Sequence, residues 1–423
     1  MNKIERLVYD VVKKNPAVKY LLRNAYQGFY DLLPHPANWS LNEIHYKEDY
    51  FYGFHDCSPF SADETKLLAY HTTIPVRMPL ADEALQIGYF DLSSDGSMND
   101  YHVIGESWAW NYHKGCRLQW VDENTVIYNT AVDGQACAVL ADLQGKEIAR
   151  LSVPIDTLSK DGKYATSFNY ERLNELMPGY GYEHCCGNGF LDVNAPEETG
   201  LFLVEIATQQ VSMLLSLKEL ASSVDEEGVM QSRHYVTHSE FSSDGRYVSF
   251  LHRWIEQDYR KRHSRLVVYD LQTKEWFALP TTGMVSHYIW NDKHQIVAYC
   301  SVKEVDGHVC FQIPQGSYTL IMPHVLNDDG HQTMVSDTIF VTDTYPDKRR
   351  MASLYRVDMQ SQSREKIAYL YSPKEFQTQD FHKHIACDLH PRVSPSRRFV
   401  CFDAAFSSKR SLCVMQLTEK SKD

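Results

Sequence analysis

Four histidines stand at matching places in four short stretches of this chain: His238 in THSEFSSDGRYVSFLH, His287 in VSHYIWNDKHQIVAY, His331 in DGHQTMVSDTIFVTDTYPD and His390 in CDLHPRVSPSRRFVCFDAA. In each stretch a large apolar residue follows three positions later, then a small polar turn, then a β-rich run ending in polar or acidic residues. Imidazoles held on rigid strands can bind a divalent cation, provided that their second nitrogens find partners such as Asp388 or Asp329. The alternative is that they line a wet channel and hydrogen-bond to one another and to water.

Histidines so far apart in sequence meet only if the units that carry them close on themselves. Equivalent positions in a closed ring of β blades converge on its axis. Earlier units support this reading. FYGFHDCSPFSADETKLLAYHTT carries the landmark Phe60 before a Ser-Ala-Asp-Glu turn, and NYHKGCRLQWVDENTVIYNTA carries Trp120. The third unit is less regular, with the turn in TLSKDGKYATSF and the irregular stretch NYERLNELMPGYGYEHCCGNGF before the strand GLFLVEI. Phe60 and Val393 lie six intervals apart, which gives about 56 residues per unit and suits four-stranded blades. The expected fold is all-β: a seven-bladed β-propeller over residues 35–423, preceded by a short N-terminal α-helical extension at residues 1–34.

At 423 residues the chain exceeds a single conventional core, so it is multidomain or repetitive. Its 43% hydrophobic content is that of a globular protein, and 27 tyrosines suit half-buried sheets or a carbohydrate-contacting face. A formal net charge of −13 argues against a nucleic-acid partner, whose phosphates need a basic surface. The ten cysteines form no CxxC pair, the amino terminus shows no signal-peptide pattern, and no apolar run reaches the ~20 residues that span a bilayer. A reduced, cytoplasmic protein with free thiols is the expectation.

Residues 1–34 differ from the rest. Apolar Ile4, Leu7, Val8, Val11 and Val12, then Val18, Leu21 and Leu22, recur at helical spacing on either side of Pro16. The first 24 residues carry Lys3, Arg6, Lys13, Lys14, Lys19 and Arg23 against Glu5 and Asp10. Such a basic amphipathic segment suits the anionic inner face of a membrane, and equally suits a helix pair packed on the propeller's rim.

With these pieces in hand, the chain resembles the TolB-type propeller repeat and, more specifically, the seven-bladed propeller of the oligogalacturonate lyases, which are cytoplasmic enzymes. The matching pieces are FYGFHDCSPFSADETKLL, HSEF, SHYIW, GHQTMVSD and DLHPRVSP, covering about half of residues 50–415 as motifs. The resemblance implies a divalent metal, manganese, on the axis. His287 and His390 match family ligands, and Asp388 falls where the family has a further histidine. The family's glutamine falls on Ile385, which cannot coordinate; His384, His331 or water are candidates for that place. The metal set is therefore His287, Asp388, His390 and His331.

Uronate β-elimination needs the carboxylate neutralised and a base to take the adjacent proton. The family's proposed base is an arginine on blade three, and the matching stretch EETGLFLVEI contains none. Arg117, which occupies the histidine position of blade two, Arg392 and His55 are candidate catalytic groups. Asp56, His238 and Arg253 are candidate substrate-binding groups. The implied partner is an acidic oligosaccharide. A glycan-assembly protein, either a transferase or an accessory glycan-binding propeller at the inner membrane, and a non-catalytic scaffold remain alternatives. HCCGNG at His184 lacks a second ligand pair for zinc, YRKRHSRL at Tyr259 reads as a solvated hairpin tip, and no phosphate loop, GxSxG or HExxH is present.

Overall fold

A computed structural model describes residues 28, 30, 31, 33–184, 189–378 and 384–417. Their strands form seven antiparallel sheets. Blades one to seven begin with the strands at Tyr50–Phe51, Gln119–Trp120, Tyr164–Ser167, Arg233–Phe241, Val285–Trp290, Gln332–Met334 and Arg392–Val393. Within each blade the strands run in sequence order from the axis outward. Blade three has three strands because its innermost segment is reduced to a bridge from Leu158 to Ala165. An all-β seven-bladed propeller is what the repeats predicted.

The ring closes with chain from before the first blade. Strand β1 (Trp39–Ser40) adds a fifth strand to blade six, and β2 (Ile44–Glu48) is the outermost strand of blade seven, with Ile44 opposite Met415 and Glu48 opposite Ser411. Closure from the amino-terminal side thus pairs the outer edge of Ser411–Gln416. The helical extension expected at 1–34 lies almost wholly outside the described residues. Of that segment, Asp31 pairs with Arg350 of blade six at 2.7 Å.

The middle strands of each blade are buried on both faces, which explains why they read as continuous apolar runs rather than alternating ones. All six residues of Phe399–Ala404 are buried, and so are seven of the eight of Gln295–Val302. Polar turns punctuate these runs. Ser61, Ser159 and Ser242 donate their hydroxyls to Asp63, Asp161 and Asp244 two residues on, and thus build the turn joining the inner two strands. The YRKRHSRL stretch does form a hairpin tip, with Tyr259 61% exposed. The irregular part of unit three is an insertion that starts with the helix Tyr170–Leu176, capped by Asn169. Arg172, fully buried, pins it through bonds to the carbonyls of Phe190, Val193, Asn194 and His234.

Each blade sends a buried polar side chain to the next. The Tyr70 hydroxyl accepts from Leu118 N, Asn129 bonds both N and O of Ile155, and Thr166 meets Ser239. Ser249 accepts from the Trp290 indole, and His308 faces Gln332. Asp343 accepts from His390 N, and Asp403 closes the circle on Tyr52 N and Gly53 N. Seven junctions thus have seven staples, each sparing a buried donor or acceptor the cost of going unpaired.

Replacing Ile44–Glu48 by a five-residue Gly-Ser segment should remove five cross-strand pairs and cost about 3 kcal/mol. Thermal unfolding should show a lower Tm together with aggregation through the bared Ser411–Gln416 edge. An unchanged Tm would mean that β2 is not what closes the ring.

Candidate functional site

The predicted histidines converge. Phe54, on the segment entering blade one, projects to the axis with its ring centroid 4.9 Å from that of His238, 5.1 Å from His390, 5.7 Å from His331 and 5.9 Å from His287. His331 stands 3.8 Å from His287 and 4.2 Å from His390, and all four imidazoles are buried. His238 and His287 lie on innermost strands, while His331 and His390 sit just ahead of theirs. His238 and His390 adopt left-handed φ of 52° and 43°, and Arg117, their counterpart in blade two, shares it at 57°. The backbone strain is local, at a register shift between Thr237 and Glu240 in blade four, and turns these side chains toward the axis.

Hydrogen bonds select the tautomers. His55 Nδ1 lies 2.7 Å from the Gln332 carbonyl and must carry the proton, which leaves a lone pair on a buried Nε2 with no partner. His331 Nδ1 faces both oxygens of Asp343 at 3.0 Å, and the same carboxylate accepts the backbone N–H of His331 and of His390. One aspartate therefore sets the ring of His331 and the backbone at His390. His287 lies 3.4 Å from Asp329, which also accepts from Ser286. Burial lowers the basicity of His238, His331 and His390, and each further cation or imidazole nearby adds to that, so these rings are neutral lone-pair donors at pH 7.

Among the described residues, one trio brings its donor atoms within 4.8 Å of one another: His113, Asp388 and His390. His113 Nδ1 and His390 Nε2 are both buried without a hydrogen-bond partner. The other nitrogen of His113 bonds His384 Nδ1 at 2.7 Å, and Tyr180 stacks on the His113 ring at 4.6 Å. Gly179 permits this approach, since a Cβ there would sit 2.3 Å from that of His384. Burial, reinforced by Asp343, pushes the Asp388 carboxyl up to about 7. Two orphaned imidazole nitrogens and a carboxylate short of cations form a donor set that fits a divalent metal of the manganese or zinc kind, with His384 orienting His113 from behind. Of the expected metal residues Asp388 and His390 lie in this trio; His287 and His331 lie outside it, beside Asp329 and Asp343, and His113, which the sequence did not single out, lies in it.

The expected arginines lie differently. Arg117 is fully buried, 2.8 Å from Asp56, with its Nε 3.3 Å from Asp156; Lys114 joins Asp156 at 2.7 Å. Asp156 also accepts from Ser239 N and Oγ. Arg392 pairs with Asp403 at 3.1 Å and donates to the Gly53 carbonyl. Their aspartates hold both guanidiniums charged despite burial. Arg253 is the exception. Its Nε is buried without a partner, its other contacts are Met177 Sδ at 3.5 Å and Val285 O at 3.3 Å, and no carboxylate lies within 4 Å among the described residues. It lies close enough to His238 to add to the loss of basicity that burial and then Lys114 impose on that ring.

His113 escaped the sequence reading because it lies four residues before the repeat position that Arg117 fills. His384, considered there as a ligand, bonds His113 through its Nδ1. Ile385 is buried in the apolar core shared by blades one, two and seven, as its side chain requires.

No protein-family model matches the chain, and no curated protein matches it. Solved structures do. An oligogalacturonate lyase in complex with manganese aligns over 92% of this chain and 97% of its own at 12% identity and TM-score 0.44. An oligogalacturonate lyase from Vibrio parahaemolyticus aligns over 92% and 99% at 11% identity and TM-score 0.40. TolB from Acinetobacter baumannii aligns over 73% and 64% at 13% identity and TM-score 0.38. At these identities and scores nothing about this protein's chemistry is taken from them, and the propeller rests on its own seven sheets. Among the described residues no helix is long and apolar enough to cross a membrane.

Asp156→Ala should leave Lys114 and Arg117 sharing one carboxylate in a buried site and cost about 3–5 kcal/mol in urea unfolding. Wild-type stability there would rule out a structural role for the cluster. The pH dependence has a definite sign. Burial alone would raise Asp56, but Arg117 and then Lys114 hold its carboxyl well below the usual carboxylate range. A depressed folded value means that its contribution is present above roughly pH 4 and is lost as pH falls below that. Asp56→Asn should flatten this acid limb of the stability curve.

Proposed function

We propose that the protein is a carbohydrate-active propeller that holds a divalent cation, with manganese the first candidate, on His113, Asp388 and His390 and binds the carboxylates of a uronate-containing oligosaccharide beside it. The observation that carries this reading is the trio itself, with ligand atoms of His113, Asp388 and His390 within 4.8 Å of one another, together with a buried nitrogen left without a partner on each imidazole, His113 Nδ1 and His390 Nε2. Leaving such groups buried and unpaired costs on the order of 1–3 kcal/mol each, which a cation would offset. Arg253 supports the anionic half of the reading, because a guanidinium with no carboxylate partner is the group that a sugar carboxylate would pair with.

His113, Asp388 and His390 would hold the cation, which would supply positive charge at a uronate carboxylate and so acidify the neighbouring C–H. Arg253 adds charge on the sugar's other side and orients it. His55 has its proton fixed on Nδ1 and an open lone pair on Nε2, so it can accept a proton; burial, then His331, keep it neutral. With Arg117 and Arg392 held protonated in ion pairs, His55 is the remaining base among the expected catalytic groups: it would take the proton beside the uronate carboxylate as the glycosidic C–O bond breaks, leaving a C=C bond, while the departing oxygen takes a proton from water. A second reading, glycan binding without turnover, draws on the same ion pairs, which leave neither arginine free to act on substrate.

Manganese should raise the Tm of the full chain and a chelator should reverse it, with His390→Ala or Asp388→Asn abolishing the shift. Arg253→Gln should keep the manganese shift while weakening oligogalacturonate binding by roughly 10–100-fold, the worth of a charged hydrogen bond. Appearance of an unsaturated sugar, lost in His55→Gln, would select elimination, and binding without product would select the second reading. Indifference of the wild type to both manganese and oligogalacturonate would overturn the proposal.

A further inference from the structure

At the turn ends of the inner strands lies a cavity of about 570 Å³ walled by blades one to five. Its contents owe nothing to the axial trio. The ion cluster lies between the two: Lys114 Nζ sits 5.2 Å from the Phe54 ring on one side, and Asp56 lines the cavity on the other.

The wall chemistry is one-sided. Trp120, Trp290, Phe60 and Phe241 supply aromatic surface. Both indole N–H groups are committed, to Pro59 O at 2.9 Å and Ser249 Oγ at 2.7 Å. The Ser159 and Ser242 hydroxyls are spent on their turn aspartates. Two carboxyl groups remain. Glu240, 7% exposed, lines the cavity and accepts the Trp290 backbone N–H. Asp56, whose side chain is 1% exposed, gives Oδ1 to Arg117, while Oδ2 has no hydrogen-bond partner and lies 3.6 Å from Lys114 Nζ, beyond hydrogen-bond reach. At the rim Asp122 and Glu123 outnumber Lys160. Burial, and then Asp56, push the Glu240 carboxyl well above the usual carboxylate range, which favours its neutral form until a cation beside it stabilises the carboxylate.

Aromatic faces with acceptors and few free donors suit a ligand that brings both N–H groups and charge. We propose that this cavity is a second binding site, for a small organic cation of the alkyl-ammonium or guanidinium class, whose N–H groups donate to Asp56 Oδ2 and Glu240 while its carbon chain packs against Trp120 and Trp290. The site is independent of the axial reading and stands or falls separately.

Titration calorimetry of the full chain with agmatine and with putrescine, using 1,4-butanediol as the uncharged control, tests it. Saturable binding of at least one amine and none of the diol is expected. Glu240→Gln should weaken binding tenfold or more, and Ser243→Lys, which places an ammonium in the cavity from a half-buried turn position, should abolish it with Tm unchanged. The proposal is overturned if the wild type binds neither amine, if the diol binds as well as they do, or if folded Ser243→Lys retains wild-type affinity. Should Glu240→Gln fail to fold, Ser243→Lys alone decides.

Discussion

The axis depends on the carboxylate of Asp343. It is 1% exposed, comes from the second strand of blade six, and accepts the backbone N–H groups of His331 and His390 while facing the His331 ring. A buried carboxylate is stable only with several donors around it, so its demand for partners draws the starts of two innermost strands to one point. The same device recurs round the ring through Asn129, Asp156 and Asp403. Blade packing by apolar contact alone would tolerate small slips between sheets. Directional bonds from one blade to the backbone of the next do not, and they give the axial side chains a placement fine enough for ligand geometry.

The axis is thereby divided into layers of different electrostatic character. One holds neutral imidazoles whose unused lone pairs face inward. The next holds two cations and two aspartates in mutual contact, Lys114 and Arg117 with Asp56 and Asp156, largely cancelling one another's charge. Beyond it the cavity at the turn ends is acidic and aromatic. A cation bound among the imidazoles and an amine in that cavity would be separated by this compensated layer, so neither needs the other. Asp388 fits the same scheme, because Asp343 and Asp329 crowd it with negative charge that only Arg410 relieves.

Much of this was legible in the residues. The spacing of His238, His287, His331 and His390 to their landmark residues identified the repeat, its sevenfold count and the convergence on one axis. Arg117 was correctly aligned with those histidines, as its shared left-handed backbone confirms. What lay beyond reach was pairing. That Arg117 is spent on Asp156 across a blade junction, that Arg392 is spent on Asp403 of the next strand of its own blade, and that Arg253 is not spent, follows from tertiary contacts that no local pattern encodes. His113 and His384 sit off the repeat, on a segment entering blade two and a loop before blade seven, and become neighbours only through closure. The outer strand IHYKE at Ile44–Glu48 is short and polar, and gained its role from the unpaired edge of blade seven rather than from its own sequence.

The central claim is that His113, Asp388 and His390 hold a metal. Anomalous diffraction at the manganese edge, from crystals of the protein grown with manganese chloride, tests this most directly. One anomalous peak in contact with His113 Nδ1, His390 Nε2 and an Asp388 oxygen is the predicted result. A peak on His287 and His331 instead, or none on the axis at full occupancy elsewhere, would contradict it.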